Sequence, residues 1–314
     1  MTAIASLPPN QEGVAAARPT TRRRRDRRLR VAFVVSIAPA VILTVALLWV
    51  PMASVVGFSF TDFDGFLGVG KFVGLDNYVR VFTDDGIAVV LGHTIIYTVF
   101  YLVVQLVLAF GLAIALTARI RFSSFYRSIF FIPVVVSPVA VVFVWSFLYD
   151  PNTGSINVFL RSVGLGAFAQ NWLGNFDLAL YSVILVDLWK SFGYFVVIFV
   201  AGLSTVPQDT LESARVDGAG WWSTLVWVTV PQLKLTFGLA IVLAMNGALR
   251  AFDTVYLLTH GGPGNATQLY MTQTFKEAFT NQKFGFGSAM AVLVLIVLLV
   301  VSAAQRRLTR LEGD

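Results

Sequence analysis

The chain has 314 residues, of which 57% are hydrophobic and only 13% charged, and its mean hydropathy is +0.76. Ordinary soluble domains carry about 25% charged residues, so this composition excludes a water-soluble globule, and its apolar richness excludes intrinsic disorder. Cysteine is absent and histidine occurs only at His93 and His260, which removes disulfide frameworks, thiolate nucleophiles and metal sites from the expected chemistry.

What remains is an all-α, polytopic integral membrane protein. A helix needs about 20 predominantly apolar residues to cross a hydrocarbon core about 30 Å thick. In chain order, six stretches qualify: residues 31–56, 87–118, 128–149, 178–205, 235–258 and 284–305. Together they make one membrane domain, 31–305, between a basic tail, 1–30, and a short tail, 306–314. The N-terminal tail holds Arg18, Arg22, Arg23, Arg24, Arg25, Arg27, Arg28 and Arg30. The apolar run behind it is too long for a cleaved secretory or twin-arginine signal.

Most of the 23 basic residues fall in that tail, after span two (Arg119, Arg121, Arg127), after span four (Arg215, Lys234) and at the C-terminus (Arg306, Arg307, Arg310). The positive-inside rule puts these segments, and both termini, in the cytoplasm. Basic residues beside apolar runs point to the lipid bilayer as partner rather than to nucleic acid.

The outer segments are substantial. Residues 61–85 predict a short helix near 75–82. Gly65, Gly70 and Lys71 there have the spacing of a phosphate-binding loop, but Phe72 stands where Ser or Thr must hold magnesium, so no ATP site is expected in this chain. The later outer segments open on turn sequences, Asp150-Pro151-Asn152-Thr153-Gly154 and His260-Gly261-Gly262-Pro263-Gly264.

The cytoplasmic loop 206–234 reads as helix, turn, helix. Asp209 and Glu212 are spaced as a capping box; Asp217-Gly218-Ala219-Gly220 breaks the first helix; residues 221–230 resume, and Pro231 ends the second helix before span five. Within it, Glu212-Ser213-Ala214, then Asp217-Gly218-Ala219 and later Val230-Pro231, resembles the EAA signature of permease subunits in binding-protein-dependent ABC importers. The resemblance is narrower still to the carbohydrate-uptake group, of the maltose-transporter or glycerol-phosphate-transporter type. Supporting motifs are Gly74-Leu75-Asp76-Asn77-Tyr78, Arg127 with Phe130-Phe131-Ile132-Pro133, and Phe252-Asp253 before Leu258-Thr259-His260-Gly261-Gly262-Pro263. Ser213 departs from the usual alanine.

That resemblance implies a type I ABC importer permease fold in a bacterial cell membrane. It implies that the loop is a coupling helix docking in a cleft of a separate ATPase, with Glu212 as polar anchor, Gly218 as the turn and Ala214 and Ala219 as packing surface. The plainer alternative makes Glu212 a cap and Gly218 a helix stop. Implied partners are a second permease, two ATP-binding subunits that hold ATP and magnesium, and an extracytoplasmic solute-binding protein. No cofactor and no catalytic role are expected for this chain.

Charges inside spans cost about 2.5–3.5 kcal/mol at mid-bilayer and face the bundle interior or a wet cavity. Asp187 with Lys190, and Arg250 with Asp253, are spaced i, i+3, so each pair is expected on one helix face and partly self-neutralised. Ser191 and Tyr194 follow the first pair and Asn246 precedes the second. The resemblance places the fourth-span residues on a sugar pathway; Ala248 and Ala251 depart from its polar pattern. Helix-to-helix contacts are the competing role for all of them. The alternative function is a self-sufficient carrier or channel for a small polar solute, for which broken helices would be a sign; none is evident in the sequence.

Overall fold

The computed structural model describes residues 33–66, 68, 70–117 and 123–310. The tail 1–30, Arg119 and Arg121, and residues 311–314 lie outside the described residues. The chain divides into two units, residues 1–54 and 55–314.

In the first unit the described residues belong to α1 (Phe33–Phe58), a 26-residue helix with mean hydropathy 2.5. Its Val45–Trp49 turn is π-helical. Pro51 follows two residues later; proline has no N–H and its ring presses on the carbonyl four residues back, and the wider turn makes room for it.

The second unit is built on three helices, α3 (Asp85–Thr117), α7 (Ala179–Leu203) and α10 (Lys234–Leu249). Their shared core contains Tyr97, Ala109, Ala113, Val183, Ile184, Phe199, Ala240 and Ala244. Small residues at these contacts let the backbones approach, which is how helices gain packing energy in lipid. α13 (Phe284–Arg310) contributes Phe286 and Met290 to a smaller cluster with Val81, Ile87 and Tyr270.

The third span is not the single helix expected over 128–149. α4 (Ser123–Val135) and α5 (Pro138–Leu148) meet at 99°. Pro138 disfavours helical geometry in the residue before it, and Ser137 is accordingly extended at ψ 139°. The first arm packs tightly on α7: a Cβ added to Gly193 would lie 2.0 Å from the Phe130 carbonyl oxygen.

The fifth span is likewise divided. α10 ends at Leu249, residues 250–252 leave the helix, and α11 (Asp253–Thr259) resumes it. Among the described residues, six elements are long and apolar enough to cross a membrane if the bent pair counts as one, and five without it.

The long connections between spans are tied by hydrogen bonds, two of them through asparagines. Between spans one and two, α2 (Asp76–Thr83) carries Asn77, whose Nδ2 donates to the carbonyls of Ser59 (3.0 Å) and Thr61 (2.8 Å). Between spans three and four, Asn157 on α6 (Ser155–Ser162) donates to Pro151 O (3.0 Å) and Gln170 O (2.8 Å) and accepts from Trp172 Nε1 (2.9 Å). Between spans five and six, α12 (Tyr270–Phe275) is pinned to α3 by Tyr270 N donating to Thr94 Oγ1, 2.9 Å.

Candidate functional site

Two features stand out: a polar cavity among the spans and an exposed elbow between spans four and five. The cavity has a volume of about 310 Å³. Six residues expected on a substrate pathway line it: Asp187, Lys190, Ser191 and Tyr194 from α7, Arg250 from the break in span five, and Asp253 at the start of α11. Asn246 does not; its Nδ2 turns back to Val242 O, 2.9 Å, on its own helix.

Among the described residues neither expected pair closes into a direct ion pair. Arg250 sits in the break, off the helical register that would bring it beside Asp253. Asp187 is bonded across the bundle instead: Oδ2 accepts from the Tyr97 hydroxyl on α3 and Oδ1 from Thr254 Oγ1 on α11. A carboxylate withdrawn from water is retained when its lone pairs are met by donors, and a carboxylate met by two helices at once is a three-helix node.

Next to it, Tyr101 Oη and Ser191 Oγ lie 2.8 Å apart, Ser191 Oγ also donates to Asp187 O at 2.7 Å, and buried Gln105 is 3.5 Å from the same hydroxyl. Tyr97, Tyr101, Gln105 and Thr254 were not among the expected residues. The repeat of Tyr97, Tyr101 and Gln105 at four-residue steps on an otherwise apolar span was the available signal, since it puts three polar groups on one helix face.

The elbow begins with α8 (Gln208–Val216). The expected capping box is absent: the helix starts two residues earlier, with extended Pro207 at the N-cap and no side-chain cap bond, so Asp209 lies inside the first turn. Its C-terminus is a Schellman motif. Gly218 takes φ +78°, its N–H donates to Arg215 O (3.1 Å), and Ala219 N–H reaches Ala214 O (2.9 Å).

Glu212, Ser213, Asp217 and Gly218 are exposed, and Ala214 and Ala219 are half-buried. Asp209, Glu212, Ser213, Val216 and Asp217 border a concavity of about 440 Å³. The chain then resumes as a helical run, 221–232, which we label α9, with a π turn at Thr224–Thr229. Pro231, exposed, does not end it: the π turn accommodates the ring as in α1, and the break falls at Leu233.

Residues 107–311, which contain the elbow and all of the cavity lining except Tyr97 and Tyr101, match the family of binding-protein-dependent transport system inner membrane components. The chain belongs to this family. The permease is 34% identical over 261 residues to the probable ABC transporter permease protein YurN of Bacillus subtilis, covering 82% of this chain and 89% of that one. It is 33% identical over 275 residues to the diacetylchitobiose uptake system permease protein NgcF of Streptomyces coelicolor, covering 84% and 78%.

In fold it resembles a chain of a bacterial alginate ABC transporter solved with an alginate-bound periplasmic protein. The TM-score is 0.77 at 19% identity, over 91% of this chain and 96% of that one. The permease is therefore a multi-pass membrane subunit of an ABC importer with the type I permease fold. Among the described residues no group of three or more His, Cys, Asp or Glu could hold a metal ion.

Proposed function

We propose that the permease passes a carbohydrate or related polyol or sugar phosphate through the membrane, using the cavity at the break of span five. The observation that carries this reading is the cavity's lining: carboxylates, ammonium and guanidinium groups and tyrosine rings on membrane-spanning helices, the groups that bind hydroxyls and stack on sugar rings. The names of relatives support it, among them the multiple sugar-binding transport system permease protein MsmF of Streptococcus mutans, 30% identical over 272 residues.

In this reading both termini and the elbow face the cytoplasm. Glu212, Ser213, Ala214, Asp217, Gly218 and Ala219, with Pro231 behind them, form the contact to an ATPase. Two ATP-binding subunits carry ATP and magnesium, a second permease completes the pathway, and an external solute-binding protein delivers the cargo. The chain itself performs no catalysis.

Discontinuous helices, as in the third and fifth spans, also occur in self-sufficient carriers, which makes the carrier the alternative against which the importer reading is tested. One experiment separates the two. The importer is purified with its binding protein, and that partner is screened for thermal stabilisation by sugars, polyols and glycerol phosphates; uptake of the best ligand is then measured in vesicles. ATP-dependent uptake that survives collapse of the proton gradient supports the importer. Uptake by the purified chain alone supports the carrier.

A further inference from the structure

The second arm of the elbow, α9, carries Trp221, Trp222 and Trp227, which are 59%, 71% and 77% exposed. Trp221 and Trp222 pack edge to face, with centroids 4.4 Å apart. The sequence has no charged residue between Asp217 and Lys234, whereas the first arm presents Asp209, Glu212, Arg215 and Asp217, all exposed. The elbow is thus divided at Gly218 into a charged arm and an uncharged aromatic one.

At about 1.5 Å rise per residue the aromatic arm is roughly 18 Å long, too short for a hydrocarbon core of about 30 Å. It leads through the break at Leu233 directly into span five. Trp227, Pro231, Leu235 and Leu239 follow at four-residue intervals, and all four are exposed. The exposed stripe of the arm is therefore continuous with an exposed apolar stripe on a membrane-crossing helix. The surroundings that solvate Leu235 and Leu239 extend to Trp227. Indole, a large apolar ring with one N–H donor, belongs where apolar and wet environments meet.

We propose that α9 lies in the headgroup region of the cytoplasmic leaflet, with Trp222 and Trp227 seated among the lipids, so that the bilayer fixes the depth of the coupling arm. Membrane seating of short helices scales with the apolar area they bury, and here the two most exposed indoles supply it. The charged arm is left for the ATPase. This inference rests on the reading that the elbow faces the cytoplasm and receives an ATPase.

The chain has no cysteine, so Trp222→Cys, Trp227→Cys and, for comparison, Glu212→Cys can each take one nitroxide label. The labelled chains are assembled with cysteine-free partner subunits in vesicles of phosphatidylethanolamine and phosphatidylglycerol. Labels at 222 and 227 should collide severalfold more often with oxygen, and severalfold less often with a water-soluble nickel chelate, than the label at 212 measured before the ATPase subunits are added. Equal nickel access at all three positions would put the arm in water. Exclusion of both reagents at 222 and 227 would put it under protein, as an ATPase contact. Either result overturns the proposal.

Position 212 reports separately on coupling: loss of nickel access there when ATPase subunits are added supports that reading whatever 222 and 227 show, and no change counts against it. A label-free measurement stands beside these. Shallow brominated lipids should quench the fluorescence of the unsubstituted importer more than that of the Trp222→Phe, Trp227→Phe double variant; equal quenching overturns the proposal.

Discussion

Asp187 is the residue on which the cavity turns. Asp187→Ala would leave the hydroxyls of Tyr97 and Thr254, both buried, without their acceptor, and each unmet buried group costs about 1–3 kcal/mol. Asp187→Asn keeps a carbonyl oxygen for one of them. The expected order of thermal stability in the purified importer is wild type, then Asn, then Ala. Those partners lie 90 and 67 positions away in the chain. That separation is why the sequence, which marks Asp187 by its charge in an apolar run, pairs it with Lys190 on local spacing instead.

Gly193 is a second sensitive point: the Cβ of Gly193→Ala would collide with the Phe130 backbone. Overpacking of this kind costs typically about 1–3 kcal/mol, to be read as a lowered melting temperature. A third lies outside the spans. The Thr153 amide (2.7 Å), its hydroxyl (2.9 Å) and the Asn152 amide (2.9 Å) all donate to Asp150 Oδ1 and hold its pKa below the usual aspartate value. A pKa depressed on folding stabilises above the unfolded value and is lost as pH falls through the folded one. Amide exchange across residues 150–154 should therefore stay protected down to about pH 4 and loosen only in stronger acid, and Asp150→Ala should remove that acid step.

At the scale of elements, helices were legible from hydropathy because lipid demands apolar length, and the elbow was legible because its signature is contiguous. Breaks were less so. Pro138 could be read as a disturbance but not as a 99° corner. The break at residues 250–252 has no proline, and nothing local announces it. The missing capping box is a lesson of the same kind: Asp209 and Glu212 had the spacing, but Pro207 started the helix two residues too early.

The elbow yields a sharp pair of variants. Glu212 is exposed and has no side-chain hydrogen bond among the described residues, so Glu212→Ala should change stability by less than about 0.5 kcal/mol while abolishing most binding-protein-stimulated ATP hydrolysis and uptake. Gly218→Ala forces an L-residue into the left-handed region at a cost of about 1–2 kcal/mol. It should lower both melting temperature and coupling, and Gly218→Asn should lower them less, since asparagine tolerates that backbone region. Equal transport by Glu212→Ala and wild type would return Glu212 to a merely solvated position.

For the whole molecule, the three-helix core, the bent third span packed on α7 and the elbow are parts of one unit. Asp187 joins α3, α7 and α11 inside it, so movement of the second arm of span five relative to the other two must break or carry along its bond to Thr254. Thr254→Val removes that bond while keeping the shape. It is expected to alter the ratio of basal to stimulated ATP hydrolysis in the assembled importer, with little change in assembly judged by size-exclusion chromatography.

Gly247, Arg250 and Asp253 border the cavity and are themselves exposed, so on that side its wall is unfinished. A neighbouring polypeptide seated there would supply the missing surface and, with it, part of the discrimination between solutes. Exchanging that neighbour would then change what is carried with every residue here intact, and a mutational library confined to this one gene would sample only a fraction of the selectivity available to the pair.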